Sequence, residues 1–468
     1  MTEYTTSKSK EKGNKNPREL VLEMLIKIFE EGQYCHTVIR QTLSEYSELG
    51  KRDRAFVTRL CRGTVERCLT LDFEIEKYAS LKIKKMKPLI RNLLRMSVYQ
   101  IGYFSQTPPS AVCNEAVNIV KKRKIYGLTG FVNGILRQIV QHKDEFAKLP
   151  EKMPLSQQIS IQYSIPEWII KEWLIRFKKE TTIAMCKAFL EDSPLTIRVN
   201  ESKKSILELK EELITQEVTV KRAHLFPDAF YLEGVDRLSQ LKSFSIGAFQ
   251  VQDESSMCIA RVAGICAGDV ILDVCAAPGG KALHAAELLC QKADGKKEIG
   301  KVIARDISKE KTALILENLQ RTKYSNITVQ IKDATVFYPE DEALADIVFA
   351  DLPCSGLGIL GRKPDIRYKT TKELRERLAK LQREILTVIC RYVKPKGVLI
   401  YSTCTISEEE NEQNYSFLIS ELGFEAESLD DYLPSILHST TTKKGYLQLL
   451  PGVHQTDGFF LAKVRKKG

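Results

Sequence analysis

The spacing of apolar residues divides the chain into a helical part and a part in which strands and helices alternate. Between residues 17 and 145, apolar residues recur every three to four positions, the period of an amphipathic helix, in ELVLEMLIKIFEE, KPLIRNLLRMSVYQIGYF, AVCNEAVNIVKKR and the long run RDRAFVTRLCRGTVERCLTLDFEIEKY. Pro88 suits the first turn of a helix, and the QTPPS run at 106–110 separates two helices. Residues 1–145 are therefore predicted to form an all-α domain.

The next part of the chain mixes strand and helix patterns over short distances. The segment IPEWIIKEWLIRF opens a helix, and LTIRVN and AFYLEG are typical of strands on either side of a helical KKSILELKEELI. The pattern predicts a linker and a small α+β domain over residues 146–240.

From residue 241 onward, short apolar runs alternate with helical segments. The runs VILDVC, KVIARD, ITVQIKD, DIVFAD and GVLIYST are nearly continuous and rich in β-branched residues. Such alternation is typical of an α/β domain with a doubly wound, Rossmann-like parallel sheet. The late runs YLQLL and GFFLAKVRK leave no room for a crossover helix and predict an antiparallel pair at the sheet edge. We predict that residues 241–468 form this α/β domain.

The charge of the chain is concentrated in its helical part. The net charge is +11, and residues 1–145 carry 26 Lys plus Arg against 16 Asp plus Glu. This excess predicts a module that binds a polyanion, although a solvated basic surface would also account for it. No run approaches the ~18 apolar residues of a membrane span, and the N-terminus lacks the apolar core of a signal peptide. A cytoplasmic protein is expected.

The cysteines fit neither a disulfide framework nor a metal site. Twelve cysteines occur with no CxxC pair and with only six scattered histidines, so no metal is predicted. Most are expected to be reduced thiols that pack as small apolar side chains. This expectation covers Cys35, Cys61, Cys68, Cys113, Cys186, Cys258, Cys266, Cys290 and Cys390.

Polar and glycine residues follow the predicted strands of the α/β domain, where ligands of such sheets bind. Gly279 and Gly280 stand between the first strand and its helix, where a ligand can approach bare backbone and a helix N-terminus. Asp306 ends the second strand and is placed to accept ribose hydroxyls, and Asp333 ends the third, where an adenine edge would lie. These residues alone leave NAD, S-adenosylmethionine and an ordinary tight turn open.

The residues that follow the fourth predicted strand favour one of these three interpretations over the others. ADLPCSG occupies the place where methyltransferases acting on exocyclic amines carry Asn/Asp-Pro-Pro-aromatic, a motif that holds the target amino group. In this chain Cys354 puts a thiol at that place. Methylation at C5 of a pyrimidine requires a thiolate, because addition to C6 makes the electron-poor C5 nucleophilic. Lys281 and Arg362 are candidates for the positive charge that would favour the thiolate. Cys404 follows the fifth strand in the same way.

Taken together, DVCAAPGGK, DLPCSG and STCTISEEEN resemble the Nol/Nop/Sun family of RNA cytosine-5 methyltransferases, which use S-adenosylmethionine. QVQDESSM and GRKPDIRY extend this resemblance over the C-terminal half. In the helical part, RDRAFVTRLCRGTVER, RMSVYQIGYF and GFVNGILRQI resemble the RNA-binding antitermination factor NusB. The combination is similar to the bacterial members of the family that methylate one cytosine of 16S rRNA.

The resemblance implies roles for particular residues. It implies that Cys404 is the nucleophile, that Cys354 assists product release, and that the substrate is 16S rRNA, naked or in a partly assembled small subunit, bound by a monomer. It places the cofactor S-adenosylmethionine against Cys275, Ala276, Ala277, Pro278, Gly279, Gly280, Lys281, Asp306, Asp333 and Asp351. For Cys275, backbone contact with the cofactor and a packed side chain are expected rather than chemistry. SEEEN at 407–411 is expected to start a helix rather than to bind metal.

The sequence departs from the family pattern at two places, and three alternative functions remain to be weighed. DLPCS replaces the common Asp-Ala-Pro, and GRKPD replaces Arg-Arg-His-Pro-Asp, which leaves the substrate loop undefined. A non-catalytic RNA-binding ribosome-assembly factor would be expected to lose the cofactor loop or a cysteine, and both are complete. A DNA cytosine-5 methyltransferase would use the Pro-Cys thiol as nucleophile and gives Cys404 no role. Methylation of a different RNA is the third alternative.

Overall fold

The computed structural model describes residues 16–235, 237–293 and 299–468. Contacts between residues divide the chain into two compact units. The first comprises the chain up to Cys186 together with Lys363–Lys369, and the second comprises Lys187–Arg362 and Thr370–Gly468. Among the described helices, none is long and apolar enough to cross a membrane.

The first unit is helical, as the three-to-four spacing predicted. Its helices are α1 (Pro17–Phe29), α2 (Cys35–Glu45), α3 (Lys51–Glu66), α4 (Cys68–Tyr78), α5 (Pro88–Tyr103), α6 (Pro109–Lys122), α7 (Thr129–Gln141), α8 (Leu155–Tyr163), α9 (Glu167–Arg176) and the start of α10 (Lys179–Ala188). The long apolar run at 52–78 forms two helices rather than one, because the backbone at Arg67 leaves helical geometry with ψ 13°. The all-α class predicted for this part of the chain is confirmed.

The segment Lys363–Lys369 belongs to this helical unit although it is distant from it in sequence. The side chain of Arg367 is fully buried, and its guanidinium donates to the backbone carbonyl oxygens of Glu66, Tyr163 and Ser164 at 3.2–3.3 Å. Three carbonyl acceptors around one buried cation form a specific attachment. Lys363–Lys369, which we call the anchor segment, is therefore held inside the helical unit by its own contacts there.

The first part of the second unit is a small antiparallel sheet. Its elements are β1 (Leu195–Val199), α11 (Ile206–Thr215), β2 (Thr219–Arg222), β3 (Ala229–Glu233), α12 (Lys242–Ser245) and β4 (Phe249–Val251), in the strand order β2-β3-β1-β4. Ser205 caps α11 and exchanges hydrogen bonds with Glu208, a capping box that fixes the start of this helix. The two predicted strands and the helix are confirmed, and β2 and β4 add to them.

The second part of this unit is an eight-stranded mixed sheet covered by helices. Its elements are α13 (Glu254–Val262), β5 (Val270–Asp273), α14 (Gly280–Lys292), β6 (Lys301–Asp306), α15 (Lys309–Thr322), β7 (Ile327–Ile331), β8 (Ala345–Asp351), α17 (Lys372–Ile389), β9 (Val393–Thr403), α18 (Glu412–Ser420), β10 (Phe424–Ala426), α19 (Thr440–Lys443), β11 (Tyr446–Leu449) and β12 (Phe459–Lys466), with α16 (Ile366–Lys369) in the anchor segment. The order is β10-β12-β9-β8-β5-β6-β7, and β11 also pairs with β12. The α/β class is confirmed.

The order of strands identifies the edge of the sheet at which a ligand is expected to bind. Strand β5 pairs in parallel with β6 on one side and with β8 on the other, so the strand order reverses there. Since β5 to β9 are all parallel, their carboxyl ends lie along the same edge. The predicted antiparallel pairing of β11 with β12 is confirmed, although β12 lies inside the sheet, between β9 and β10.

The cysteines largely pack as expected. Six of the nine that were expected to be core residues are buried: Cys35, Cys61, Cys68, Cys113, Cys186 and Cys258. Cys290 and Cys390 are half-buried. The prediction is wrong for Cys266, which is exposed because it lies in the turn after α13, where its backbone N–H donates to the Asp269 carboxylate at 2.7 Å.

Candidate active site

Two cysteines meet at the ends of neighbouring strands. Cys354 follows β8 and Cys404 directly follows β9, and these strands pair in parallel up to Asp351 and Ser402. The two sulfur atoms are 3.3 Å apart. The structure thus brings together the two thiols that the sequence singled out.

Backbone hydrogen bonds hold the two cysteine loops against each other. The N–H of Gly358 donates to the carbonyl oxygen of Cys404 at 3.0 Å, and the N–H of Leu352 donates to that of Ser402 at 3.2 Å. The two loops therefore form one structural element rather than two independent turns.

A buried carboxylate that the sequence did not single out links the same loops. Glu410 accepts the backbone N–H of Ser355 at 2.9 Å and the Gln382 amide at 3.0 Å, and it also accepts the Ser355 hydroxyl. Burial raises the pKa of Glu410, and the hydrogen bonds from Ser355 and Gln382 offset part of that rise. Helix α18 begins only at Glu412, so all of SEEEN precedes the helix that it was expected to start, with Asn411 at the N-cap position.

The Gly-rich loop after β5 presents backbone to the ligand edge. Gly279 has φ +105°, a conformation that favours glycine, and α14 begins at the next residue. The backbone N–H of Ala277 donates to the Asp306 carboxylate at 3.0 Å, which fixes the loop to the end of β6. The Cys275 side chain packs half-buried against the core, and burial raises its pKa. The Gly-rich loop and the N-terminus of α14 therefore form a polar surface on which a ligand can come close to the backbone.

The two remaining predicted aspartates lie at the same edge. Asp306 ends β6, is buried, and forms an ion pair with Lys311 at 3.1 Å. Asp333 lies two residues beyond the end of β7 rather than at its last position, and its carboxylate accepts the backbone N–H of Thr335 at 2.9 Å. Both carboxylates therefore stand at carboxyl ends of the sheet.

Lys281 contributes a positive charge that interacts with Cys404. Its ammonium forms an ion pair with Asp351, whose carboxylate also accepts the Ser402 hydroxyl at 2.8 Å. Burial lowers the pKa of Lys281, but the negative charges of Asp351, Asp273 and Cys404 outweigh it and raise the pKa overall. Lys281 therefore stays protonated.

Arg362, the other candidate cation, is engaged elsewhere. Its guanidinium binds Asp253 at 2.8 Å and also binds Asp457. The charges that act on Arg362 are those of Asp457 and Asp253, whereas Cys404 is among the groups that act on Lys281. Lys281 rather than Arg362 therefore fits the role of favouring a thiolate.

Asp273 is a second residue that sequence reasoning missed. It ends β5, immediately before the Gly-rich loop, and its side chain is fully buried. Neither of its carboxylate oxygens has a hydrogen-bond partner among the described residues. Burial raises the pKa of Asp273 to about 7, although Lys281 opposes the rise. Its position at a strand end, like that of Asp306, was the signal that could have found it.

The surroundings of Cys354 favour its protonated thiol form. The pKa of Cys354 is raised well above that of a free thiol, first by its hydrogen bond with Cys404 and then by burial and by the charges of Glu410 and Asp351. Cys354 therefore remains a protonated thiol that can donate. The arrangement can perform covalent catalysis with one sulfur attacking and the other supplying a proton.

Three family models match the chain. Residues 265–465 match the model described as 16S rRNA methyltransferase RsmB/F. Residues 15–141 match the NusB family, and residues 165–236 match the ferredoxin-like domain of RsmF/B-like methyltransferases. The matches fall on the α/β part, the helical unit and the small antiparallel sheet.

Whole-chain relatives agree with these models. A Bacillus subtilis protein named "Probable ribosomal RNA small subunit methyltransferase B" is 34% identical over 457 residues, which cover 96% of this chain and 99% of the relative. The crystal structure of PH0851 has the same fold, with a TM-score of 0.78 and 24% identity over 97% of this chain and 100% of its own. The structure of NSun6 from Pyrococcus horikoshii with SFG has a TM-score of 0.55 and 26% identity over 64% of this chain and 97% of its own.

Proposed function

The chain belongs to the RsmB/F family of 16S rRNA methyltransferases, and from this premise we propose that it methylates C5 of one cytosine through a cysteine adduct. The observation that carries the proposal is the 3.3 Å separation of the Cys354 and Cys404 sulfurs at the ends of adjacent strands. Methylation of an exocyclic amine or a ribose hydroxyl would give such a pair no role.

Cys404 is proposed to be the nucleophile. Its sulfur adds to C6 of the cytosine, and the resulting enamine is nucleophilic at C5. The protonated ammonium of Lys281, which interacts electrostatically with Cys404, is the proposed source of positive charge beside the attacking sulfur. Asp351 holds Lys281 in this position through their ion pair.

Cys354 is proposed to assist the final step. After C5 has been methylated, a solvent water acts as base and takes the proton from C5, and the electron pair of that C–H bond re-forms the C5–C6 double bond. The bond between C6 and the Cys404 sulfur breaks at the same time, and its electron pair returns to that sulfur. The protonated Cys354 thiol, 3.3 Å away, donates a proton or a hydrogen bond to the departing thiolate. Release therefore requires the second cysteine, and addition does not.

S-adenosylmethionine is proposed as the cofactor, and the residues present fit it. When bound, it supplies an electrophilic methyl group. The Cys275–Lys281 loop would hold it, with Asp306 on the ribose hydroxyls, Asp333 near the adenine and Asp351 at the edge of the site. The buried Asp273 carboxylate, which has no partner among the described residues, is chemically suited to the cofactor's ammonium group.

We keep the division of the chain into residues 1–145, 146–240 and 241–468 as a functional proposal. The first range supplies RNA affinity through its charge excess, and the last range supplies the chemistry. The target base must leave its stack to place C6 against a sulfur, which costs a few kcal/mol in a duplex and less in loops. Naked or partly assembled small-subunit RNA is therefore the proposed substrate.

The proposal is tested by bisulfite sequencing of 16S rRNA from cells with and without this gene. One 5-methylcytosine should disappear on deletion and return with the wild-type gene, but not with Cys404→Ala. Loss of a modification other than 5-methylcytosine would overturn the proposed base chemistry. Loss of a 5-methylcytosine in another RNA would favour the alternative substrate.

A further inference from the structure

Asn411 forms hydrogen bonds with the residues on both sides of Cys404, with a side chain on one side and with the backbone on the other. The hydroxyl of Thr403 donates to the Asn411 side-chain oxygen at 2.6 Å. The Asn411 amide nitrogen donates to the carbonyl oxygen of Thr405 at 3.0 Å. These two threonines flank Cys404, and all three of the bonded residues are fully buried. One amide therefore fixes the turn that presents the Cys404 sulfur.

Glu410, the preceding residue, is hydrogen-bonded directly to the residue after Cys354 and, through Gln382, to the residue before it. It accepts the N–H of Ser355 at 2.9 Å, directly after the cysteine. It also accepts the amide of Gln382 at 3.0 Å, and the same amide donates to the carbonyl oxygen of Pro353 at 2.9 Å, directly before the cysteine. Consecutive residues thus hold the neighbours of the two thiols.

We propose that Glu410 and Asn411 are positioning residues with separate tasks: Asn411 orients the Cys404 sulfur for addition to the base, and Glu410 orients the Cys354 thiol for product release. The proposal rests on the cysteine mechanism given above. Both side chains are fully buried and are hydrogen-bonded to the neighbours of a thiol, directly for Asn411 and partly through Gln382 for Glu410, so they can set the sulfur positions that catalysis requires. Neither residue touches the reacting atoms.

The chemistry of the contacts explains why position 410 carries a carboxylate. Three donors converge on Glu410: the N–H and the hydroxyl of Ser355, and the amide of Gln382. A carboxylate accepts at both oxygens, whereas a glutamine keeps one acceptor for the Ser355 N–H and the Gln382 amide and forces the Ser355 hydroxyl to accept instead of donate. Glu410→Gln therefore replaces charge-assisted hydrogen bonds with neutral ones and weakens the hold on the Cys354 loop with almost no change in volume.

The test follows the protein–RNA adduct in time. Full-length protein, S-adenosylmethionine and labelled 16S rRNA are mixed, quenched in denaturant and resolved on a gel. Glu410→Gln should form the adduct within about threefold of the wild-type rate and release it about tenfold more slowly, a change worth ~1.4 kcal/mol in the barrier. Asn411→Ala should form the adduct about tenfold more slowly and release it within about threefold of the wild-type rate. Ser355→Ala and Thr403→Val are milder second variants, and Glu408→Gln, an exposed neighbour, is the matched control.

A second arm separates positioning from general loosening of the fold. In a Cys354→Ala background, Glu410→Gln should slow release no further, because the group that it positions is gone. An equal slowing of addition and release by Glu410→Gln, or a further slowing in that background, would overturn the proposal. A wild-type protein that methylates 16S rRNA without any adduct would instead overturn the cysteine mechanism itself.

Discussion

Gly358 and Gly458 pack backbone against backbone beside the Cys404 loop. The N–H of Gly458 donates to the carbonyl oxygen of Gly358 at 2.8 Å, while the N–H of Gly358 donates to the carbonyl of Cys404. A methyl group built on Gly358 would lie 2.0 Å from the carbonyl oxygen of Gly458 and 2.8 Å from that of Cys404. Only glycine fits this approach, so the loop that follows Cys354 depends on it.

Gly358→Ala is expected to reduce methyl transfer by about a hundredfold or more while cofactor affinity changes little, because the added carbon must separate the two cysteine loops. Turnover on 16S rRNA and calorimetric titration with S-adenosylmethionine check this. Gly361→Ala is the matched control, since its new methyl would meet the nearest atom, the Ser193 hydroxyl, at 3.4 Å. Comparable losses from both variants would contradict the prediction.

The pKa of Asp273 predicts a dependence of stability on pH. Burial raises its pKa to about 7, against ~3.9 in an unfolded chain. The folded state therefore binds the proton more tightly, and the carboxylate lowers the free energy of unfolding increasingly from about pH 4 to pH 7, then constantly. Asp273→Asn should stabilise the cofactor-free protein more at pH 8 than at pH 5, by a difference on the order of 2 kcal/mol. Equal effects in denaturant titrations at both pH values would contradict this.

Strands and their ends could be predicted where a short run of residues carries the pattern by itself. The runs that form β5, β6, β8 and β9 are apolar, β-branched and bounded by polar residues, so the positions of Asp306, Asp351 and Cys404 followed from them. Strand β2 has four residues that are mostly exposed, and β10 has three, so neither carries a pattern long enough to detect.

Burial of polar groups was not predictable, because it depends on distant parts of the chain. Glu410 stands in an acidic run that is typical of a solvated surface, and only the approach of Ser355 and Gln382 gives it partners. The attachment of Arg367 to the helical unit likewise depends on carbonyl groups about 200 and 300 residues earlier in the sequence. The break between α3 and α4 at Arg67 has no proline or glycine to mark it.

The basic charge of the helical unit predicts salt-dependent RNA binding. Lys84, Lys85, Lys121 and Lys124 are exposed in the clusters KIKKMK and KKRK. If these lysines neutralise phosphates, replacing them with glutamine should flatten the plot of log affinity against log salt by ~0.7–0.9 for each phosphate that is no longer neutralised. Cofactor binding should be unchanged. Filter binding at several salt concentrations measures the slope, and an unchanged slope would exclude these clusters from RNA binding.

The proposed roles of the two thiols predict opposite outcomes for two similar substitutions. Cys404→Ala should abolish methyl transfer and adduct formation, because no sulfur is left to add to C6, while S-adenosylmethionine still binds the Gly279 loop and Asp306. Cys354→Ala should still add to the base and methylate it, then stall as an adduct, because the thiol 3.3 Å from the leaving sulfur is missing. A denaturing gel with labelled 16S rRNA separates the cases. An adduct from Cys404→Ala and none from Cys354→Ala would exchange the two assignments and make the Pro-Cys thiol the nucleophile.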